Sequence, residues 1–533
     1  MLSDLVRRRW FIALVVLLVV IAVGLRFLNA GLMHYDSVRL AQTVESNLKT
    51  GEFHGISAGG RYGMVIVTTL VYAPFYLAGQ DADFAVRLTG VLMLALSAMS
   101  LFLLMFEMSR SRLGSIAAAF LLAATPLFLM PSTYGKEHST AVFFLVLACF
   151  CALRGHRSRA LLWPIAASSL FVLSLTVREL FIVALPAFLW FLLLPRLRRV
   201  DGRWRVLMGA QWTAGALFLI VILGAVLLWF LGGQLRAVSG DSAVSSVFLS
   251  WRYLVSGFWD LTLNTPFMWP FFLVGVYAVW RLGRDYLLPL FLWLAPFVFI
   301  VGLGGYTPRY LDVILVPFVI VVAFSIAWVS ERWLVLAVAV MLFLVLGTFF
   351  TALPFLEARH RADNLKDFSL YVANVTEPDA VIVAGDESAF IDYYAKRKGE
   401  SMSPDPANKF ALARWILDLQ NNGTPLYVLQ SSFDYPGGDM LRDFIKYNFN
   451  AEIVGSHVME NYHVAENSIF LRNVSIIRIE GPFFNASRME EYEREWESGN
   501  VTMGSTISGP EDALPVKTSN ASELAGVLLQ GIS

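Results

Sequence analysis

Residues 63–79 read GMVIVTTLVYAPFYLAG, and the fold turns on whether this run crosses a membrane. A crossing helix needs about 20 apolar residues, so length alone does not decide. The arginines do. If 63–79 stays on one side, then Arg7–Arg9, Arg110/Arg112, Arg154/Arg157/Arg159, Arg196/Arg198/Arg199/Arg203/Arg205, Arg281/Arg284 and Arg332 all share one face. Short cytoplasmic loops collect Lys and Arg, which makes that face the cytoplasm. A crossing would carry most of these clusters away from the Arg-Arg-Arg start. The run is therefore expected to lie as a helix in the interface or to dip into the outer leaflet. Its Pro74 and the tyrosines Tyr62, Tyr72 and Tyr76 suit that place.

The 533 residues are 57% hydrophobic and 14% aromatic but only 15% charged, with a mean hydropathy of +0.61. Soluble globular domains lie far from that balance, so the chain reads as an α-helical polytopic membrane protein. Formal net charge is zero, which gives no sign of a nucleic-acid partner and makes the placing of charges the informative quantity. Apolar runs near 10–28, 85–106, 114–131, 138–153, 160–177, 180–195, 205–231, 266–280, 286–303, 311–329 and 333–352 give about eleven spans. The first has a basic start and no small-residue cleavage site, so it is expected to be retained, with the N-terminus cytoplasmic. Cys149 and Cys151 fall inside an apolar run and suggest neither a disulfide nor a metal site.

That topology puts outside the first loop (29–84), the turn Lys136-Glu137-His138, Arg178-Glu179, 232–265, 304–310 and everything after about 353. The stretch from Asn29 to Arg61 holds His34, Tyr35, Asp36, Arg39, Glu45 and Arg61. Asp36, the first carboxylate after the span, is either the centre of a site or an acid that ends a helix. Arg178-Glu179 stands between apolar runs with almost no polar loop. A charge at membrane depth costs about 2.5–3.5 kcal/mol, so such residues pair or line a site, or else snorkel from a tight hairpin.

Asp36, Arg39, Arg61, Arg87, Lys136, Glu137, His138, Arg178, Glu179 and Arg309 form the outward set, in which cations outnumber acids. A cationic pocket at the membrane boundary suits an embedded substrate carrying a phosphate. If that phosphate leaves, the cations stabilise its developing charge. One carboxylate acting as general base on an acceptor hydroxyl completes the chemistry, with inversion of the reacting carbon. Asp36 is the first candidate for that base. Glu137 and His138 come next, orienting the acceptor or, as an alternative, binding a divalent ion. No other cofactor and no dedicated metal site is expected.

From about Glu357 the long apolar runs stop. AVIVAG (380–385), PLYVLQ (425–430), AEIVGS (451–456) and SIIRI (475–479) read as strands between helical stretches, which predicts a C-terminal α/β domain over 356–490. AGDES after the first strand lacks the glycine pattern of a dinucleotide site. Asn-x-Ser/Thr sequons at Asn374, Asn422, Asn473, Asn485, Asn500 and Asn520 fit an extracytoplasmic domain. Residues 491–533 turn acidic and then rich in Ser, Thr, Gly and Pro, as a flexible tail.

DADFAVRLTGVLMLALSAMSLFLL (81–104), ATPLFLMPSTYGKEHST (124–140), SLTVRELF (174–181) and YTPRYLDVILVPFV (306–319), in that order, resemble the GT-C membrane glycosyltransferases. The likeness is to protein O-mannosyltransferases and lipid A aminoarabinose transferases and covers roughly 10–350. It implies Asp36 as the catalytic carboxylate, 63–79 as the second membrane-parallel helix of the first outer loop, and a second-loop acid at Glu137 or His138. It also implies phosphate contacts from Arg61, Lys136, Arg178, Arg309 and Tyr310. Two features depart from the family. Its Asp-Glu pair reads Asp36-Ser37 here, and the Trp-Trp-Asp-Tyr-Gly motif of the oligosaccharyltransferase branch is missing.

The expectation is a multi-pass transferase, residues 1–355 forming the membrane domain. It would move a sugar, hexosyl or pentosyl, from a dolichyl- or undecaprenyl-phosphate carrier to a protein, lipid or glycan hydroxyl on the outer face. The rival is a transporter or flippase, for which no internal repeat or mid-membrane charge speaks.

Overall fold

The computed structural model describes residues 2–55, 61–158, 160, 162–193, 197–200, 203–206, 251–295, 311–362, 365–401, 408–434, 437–463, 468–482 and 490–494. The chain divides into two compact units, Met1–Phe368 with Met459–Arg472, and Ser369–Val458 with Asn473–Ser533.

The first unit is helical. In chain order it contains α1 (Leu2–Arg26), α2 (Tyr35–Thr50), α3 (Tyr62–Leu77), α4 (Ala82–Ser109), α5 (Arg112–Ala124), α6 (Pro126–Thr133), α7 (His138–Ser158), α8 (Leu162–Val177) and α9 (Leu185–Leu193). A hairpin of β1 (Leu197–Val200) and β2 (Arg203–Val206) follows, then α10 (Trp251–Asn264), α11 (Met268–Leu282), α12 (Leu287–Leu294), α13 (Asp312–Ser330) and α14 (Leu334–Ala362).

Among the described residues four helices are long and apolar enough to cross a membrane, or six if each of two bent pairs is one span. The protein is a multi-pass membrane protein. Composition alone does not separate inner from lipid-facing helices, because all are apolar. Burial does: α4, α7 and α13 are enclosed by their neighbours, whereas α14 is largely uncovered. On α3 the residues Tyr62, Ile66, Leu70 and Leu77 are exposed while Gly63, Met64, Thr68 and Tyr72 are buried. An apolar outer stripe of this kind is what lipid tails accept.

Several expected spans differ in detail. The run 114–131 breaks between α5 and α6 with a 58° bend, because Pro126 forces Thr125 into an extended conformation and then starts a new helix. Met268–Leu282 is one arm of a pair bent by 97°, with Pro266 removing a donor and Phe267 left-handed at φ 66°. The run 180–195 opens as a 3-10 turn, Glu179–Ala184, before α9. Of the span expected over 205–231 only Arg205 and Val206 are described, in the strand Arg203–Val206 that pairs with Leu197–Val200, and the remainder lies outside the described residues.

The second unit carries β3 (Val381–Val383), β4 (Lys398–Glu400), β5 (Leu426–Leu429) and, up to Val458 and from Asn473, the strands β6 (Phe449–His463) and β7 (Ser468–Pro482), in the order β4-β3-β5-β7-β6. β3 is parallel to both β4 and β5, and β7 is antiparallel to β5. β3 and β5 are buried on both faces, which accounts for their unbroken apolar sequence. Helices Lys409–Asn421 and Gly438–Asn448 supply Leu412, Ile416, Phe444 and Ile445 to the core.

Candidate active site

Two turns make the site. In the first, the chain leaves α1 and starts α2 with His34 as cap, its Nδ1 accepting the Asp36 backbone N–H at 3.1 Å. That bond makes Nδ1 an acceptor and puts the ring proton on Nε2 of the neutral imidazole. Asp36 thus stands in the first turn of α2, where the exposed N–H groups favour an anion. In the second, Tyr134–Glu137 joins α6 to α7. Gly135 is left-handed at φ 80°, and a Cβ there would come within 2.7 Å of the Val86 carbonyl oxygen. The Lys136 N–H donates to the Pro131 carbonyl at 3.0 Å, and Ser37 Oγ reaches the Gly135 carbonyl at 3.5 Å. Sequence positions about one hundred apart are thereby pinned together.

Lys136 is only 2% exposed. A buried ammonium without partners would cost several kcal/mol, and here it has three. It donates to Asp36 Oδ2, it lies 3.0 Å from His34 Nδ1, and it is 3.7 Å from Glu137 Oε2. Arg61 repeats the pattern: Nη1 is 3.2 Å from Asp36 Oδ2 and 3.4 Å from Glu137 Oε1. Two cations and two carboxylates alternate around one point.

Arg61 is held there by a strained backbone, φ 34° and ψ 38°, at the start of α3. Such a non-glycine residue costs about 1 kcal/mol or more and persists where the surroundings over-determine it. Gly63 contributes, since a Cβ would come within 2.5 Å of Thr176 Oγ1 on α8.

The charges shape one another. Burial pushes the Asp36 carboxyl up, but Lys136 and His34 outweigh it and hold the group down at about 2. Burial likewise opposes the Glu137 anion, and Lys136, His138, Arg61 and Arg178 together keep it well below the usual carboxylate range. Lys136 is lowered as well, which for an amine favours the neutral form: burial lowers it more than Glu137 and Asp36 raise it.

Beside this group lies a second one, sealed from solvent. His138 Nδ1 is 2.8 Å from Asp312 Oδ2. Arg178 Nη1 is 2.6 Å from the same oxygen and 2.5 Å from His138 Nδ1. Asp312 opens α13, and its Oδ1 accepts the Val313 N–H at 2.9 Å.

Of the residues named from sequence, Asp36, Arg61, Lys136 and Glu137 meet in one group, and His138 and Arg178 in the adjoining one. Arg309 and Tyr310 lie outside the described residues. Arg39 stacks on the Tyr35 ring at 4.4 Å and points to solvent. Arg87 binds Asp83 at 2.8 Å and the Asn29 carbonyl, fastening α4 to the end of α1. Asp312 was not singled out from sequence, and His34 was named in the stretch from Asn29 to Arg61 without a role of its own. An acid placed between Arg309 and an apolar span was the available signal for Asp312. Among the described residues no three His, Cys, Asp or Glu side chains group closely enough to hold a metal ion.

The family model described as dolichyl-phosphate-mannose-protein mannosyltransferase matches residues 66–229. The chain superimposes on an archaeal oligosaccharyltransferase, AglB from Archaeoglobus fulgidus, in complex with an inhibitory peptide and a dolichol-phosphate. The TM-score is 0.55 and the identity 12%, over 87% of this chain and 74% of that one. ArnT from Cupriavidus metallidurans bound to undecaprenyl phosphate gives a TM-score of 0.55 at 15% identity, over 88% and 97% of the two chains. The chain has the GT-C fold. The mycobacterial arabinofuranosyltransferase AftD shares this GT-C architecture at a TM-score of 0.55 and 13% identity, over 89% of this chain and 40% of that one. No characterised protein matches the chain significantly by sequence.

Proposed function

We propose that the protein is a membrane glycosyltransferase that moves a sugar from a polyprenyl-phosphate carrier to an acceptor hydroxyl on the outer face of the membrane. The observation that carries this reading is the alternating group of Asp36, Lys136, Arg61 and Glu137 beneath the first outer loop. Without a donor, Asp36 and Glu137 stand against both cations. A donor phosphate offers Lys136 and Arg61 a stronger partner, and Arg178 contacts His138, the residue that follows Glu137. As the cations shift to the phosphate, Asp36 loses the neighbours that depress its basicity. It then accepts the proton of the incoming hydroxyl while the lipid phosphate departs. Attack opposite the leaving group inverts the anomeric carbon.

Likeness of fold to a protein in complex with a dolichol-phosphate and to one bound to undecaprenyl phosphate supports the donor class. The exposed sequon residues Asn374, Asn422 and Asn473 support an extracytoplasmic place for the second unit. Arg309 and Tyr310 belong to the same reading as further phosphate contacts.

The test is sugar release from a labelled polyprenyl-phosphate donor in membranes carrying the native chain or Asp36→Asn. Transfer by the native protein and loss in the variant, with donor binding kept, is the expected result. Equal transfer by both removes Asp36 from the chemistry; no transfer with any dolichyl or undecaprenyl donor removes the reading itself.

A further inference from the structure

The geometry around Asp312 contains a conflict of hydrogen bonding. Its Oδ2 is approached by His138 Nδ1 at 2.8 Å and by Arg178 Nη1 at 2.6 Å, while those two nitrogens are 2.5 Å apart. Nδ1 cannot donate to Asp312 and accept from Arg178 at once. If it carries a proton, it faces the guanidinium N–H; if it does not, its lone pair faces the carboxylate. All three side chains are nearly excluded from water, so no solvent relieves the clash. Asp312 Oδ2 has lone pairs for both donors, so the conflict lies at His138 Nδ1, and it ends when Arg178 withdraws and Nδ1–H donates to Oδ2 unopposed.

We propose that Asp312 is a holding partner for Arg178, exchanged for the lipid phosphate during each turnover, with His138 taking the vacated oxygen. This rests on the phosphate-carrier reading above. With no donor, Arg178 pairs with Asp312. When a phosphate enters, the guanidinium turns to it and His138 Nδ1–H completes its bond to Oδ2, so the buried carboxylate is never left bare. On release of the carrier the guanidinium returns to Asp312. Asp312 thus acts as a positioning residue that weakens the grip on the product phosphate and speeds its departure. Its Oδ1 is fixed by the Val313 N–H, which keeps the carboxylate still while its partners change.

The exchange predicts opposite signs for two substitutions in one cluster, which loss of structure alone would not give. Asp312→Asn removes the competitor, so undecaprenyl or dolichyl phosphate binds about tenfold or more tightly, and turnover falls as product release slows. His138→Ala removes the replacement partner, so Arg178 leaves Asp312 less readily and the same phosphate binds more weakly. Asp312→Glu restores near-native affinity, and in an Arg178→Ala background Asp312→Asn changes nothing.

The experiment is a titration of purified full-length protein in nanodiscs with each polyprenyl phosphate, paired with product inhibition of transfer. Thermal unfolding is followed on the same samples to identify folded variants. Tighter binding by Asp312→Asn with weaker binding by His138→Ala supports the exchange. Weaker or unchanged binding by a folded Asp312→Asn overturns it and leaves the donor reading intact. If Asp312→Asn does not fold, Asp312→Glu and His138→Ala decide: equal affinity of His138→Ala and the native chain overturns the proposal. Failure of the native protein to bind either polyprenyl phosphate overturns both readings.

Discussion

Lys136 and Glu137 serve one charged group and His138 serves another, although the three are consecutive. The first group is partly open, with Asp36 and Arg61 side chains each 26% exposed. The second is closed, with Asp312 at 1% and Arg178 at 7%. Both hold cations against carboxylates, yet the difference in access gives them different work. An open pair can exchange a partner with water or an acceptor, so it suits proton transfer. A closed trio gains more from each contact because the surroundings screen it less, and any change of partner within it has a larger energetic consequence.

Replacing Lys136 by Met breaks the comparison most severely. Asp36 and Glu137 then share only Arg61, and loss of one partner of a buried ion pair costs about 3–5 kcal/mol. Transfer is expected to vanish and the unfolding temperature to fall, read by thermal unfolding in detergent beside the activity assay. Asp36→Asn comes next, with transfer down by about 10²–10⁴-fold, the usual worth of a positioned base, and little change in stability. Arg61→Lys and Arg178→Lys sharpen the contrast further. Each keeps charge and loses the planar fork. The open site tolerates it better, so KM for the donor rises more in Arg178→Lys than in Arg61→Lys.

Acidity separates Asp36 from Lys136 within the open group. The Asp36 carboxyl is depressed in the folded chain from 3.8 to about 2. Its contribution to stability is therefore present above about 4 and lost only as pH falls through 2, so no acid limb from Asp36 is expected between pH 7 and 4. For Lys136 the folded value lies below the unfolded one, so its titration does not destabilise the fold as pH rises. A fall in transfer on the alkaline side without unfolding is then the signature of Lys136 losing its charge. The limb should move to higher pH in Lys136→Arg. The smallest effect is expected at the other end of α4. There Glu107 holds Arg110 at 3.1 Å and Arg154 at 3.4 Å. Glu107→Gln should lower the unfolding temperature and leave KM and kcat near native.

The open group was legible in the sequence because its members fall on the loops that the arginine bias puts on one side. Lys136-Glu137-His138 is a turn between apolar runs, and Asp36 is the first carboxylate after the first span. Charges at such places need partners. Which partners they find was not legible, since Asp36 and Lys136 are brought together by Gly135, Ser37 and the packing of α4, none of which carries a motif. Asp312 escaped notice for a different reason: an acid at the first position of a helix already has a local explanation in the helix dipole. The break at Thr125-Pro126 was visible as a proline, but an apolar run on both sides made it read as one continuous span.

The start of α7 has a consequence for how this segment tolerates insertion and deletion. Each residue along a helix turns the side-chain direction by about 100°. Removing Lys136 would put a carboxylate, Glu137, where an ammonium is needed and leave Arg178 facing Ser139, and adding one residue would put Glu137 in the place of His138. Substitutions here damage one group at a time, but a shift in length damages both together. The stretch from Tyr134 to Ser139 should therefore keep its length even where individual residues change, while the exposed end of α2 near Gly51 can lengthen freely.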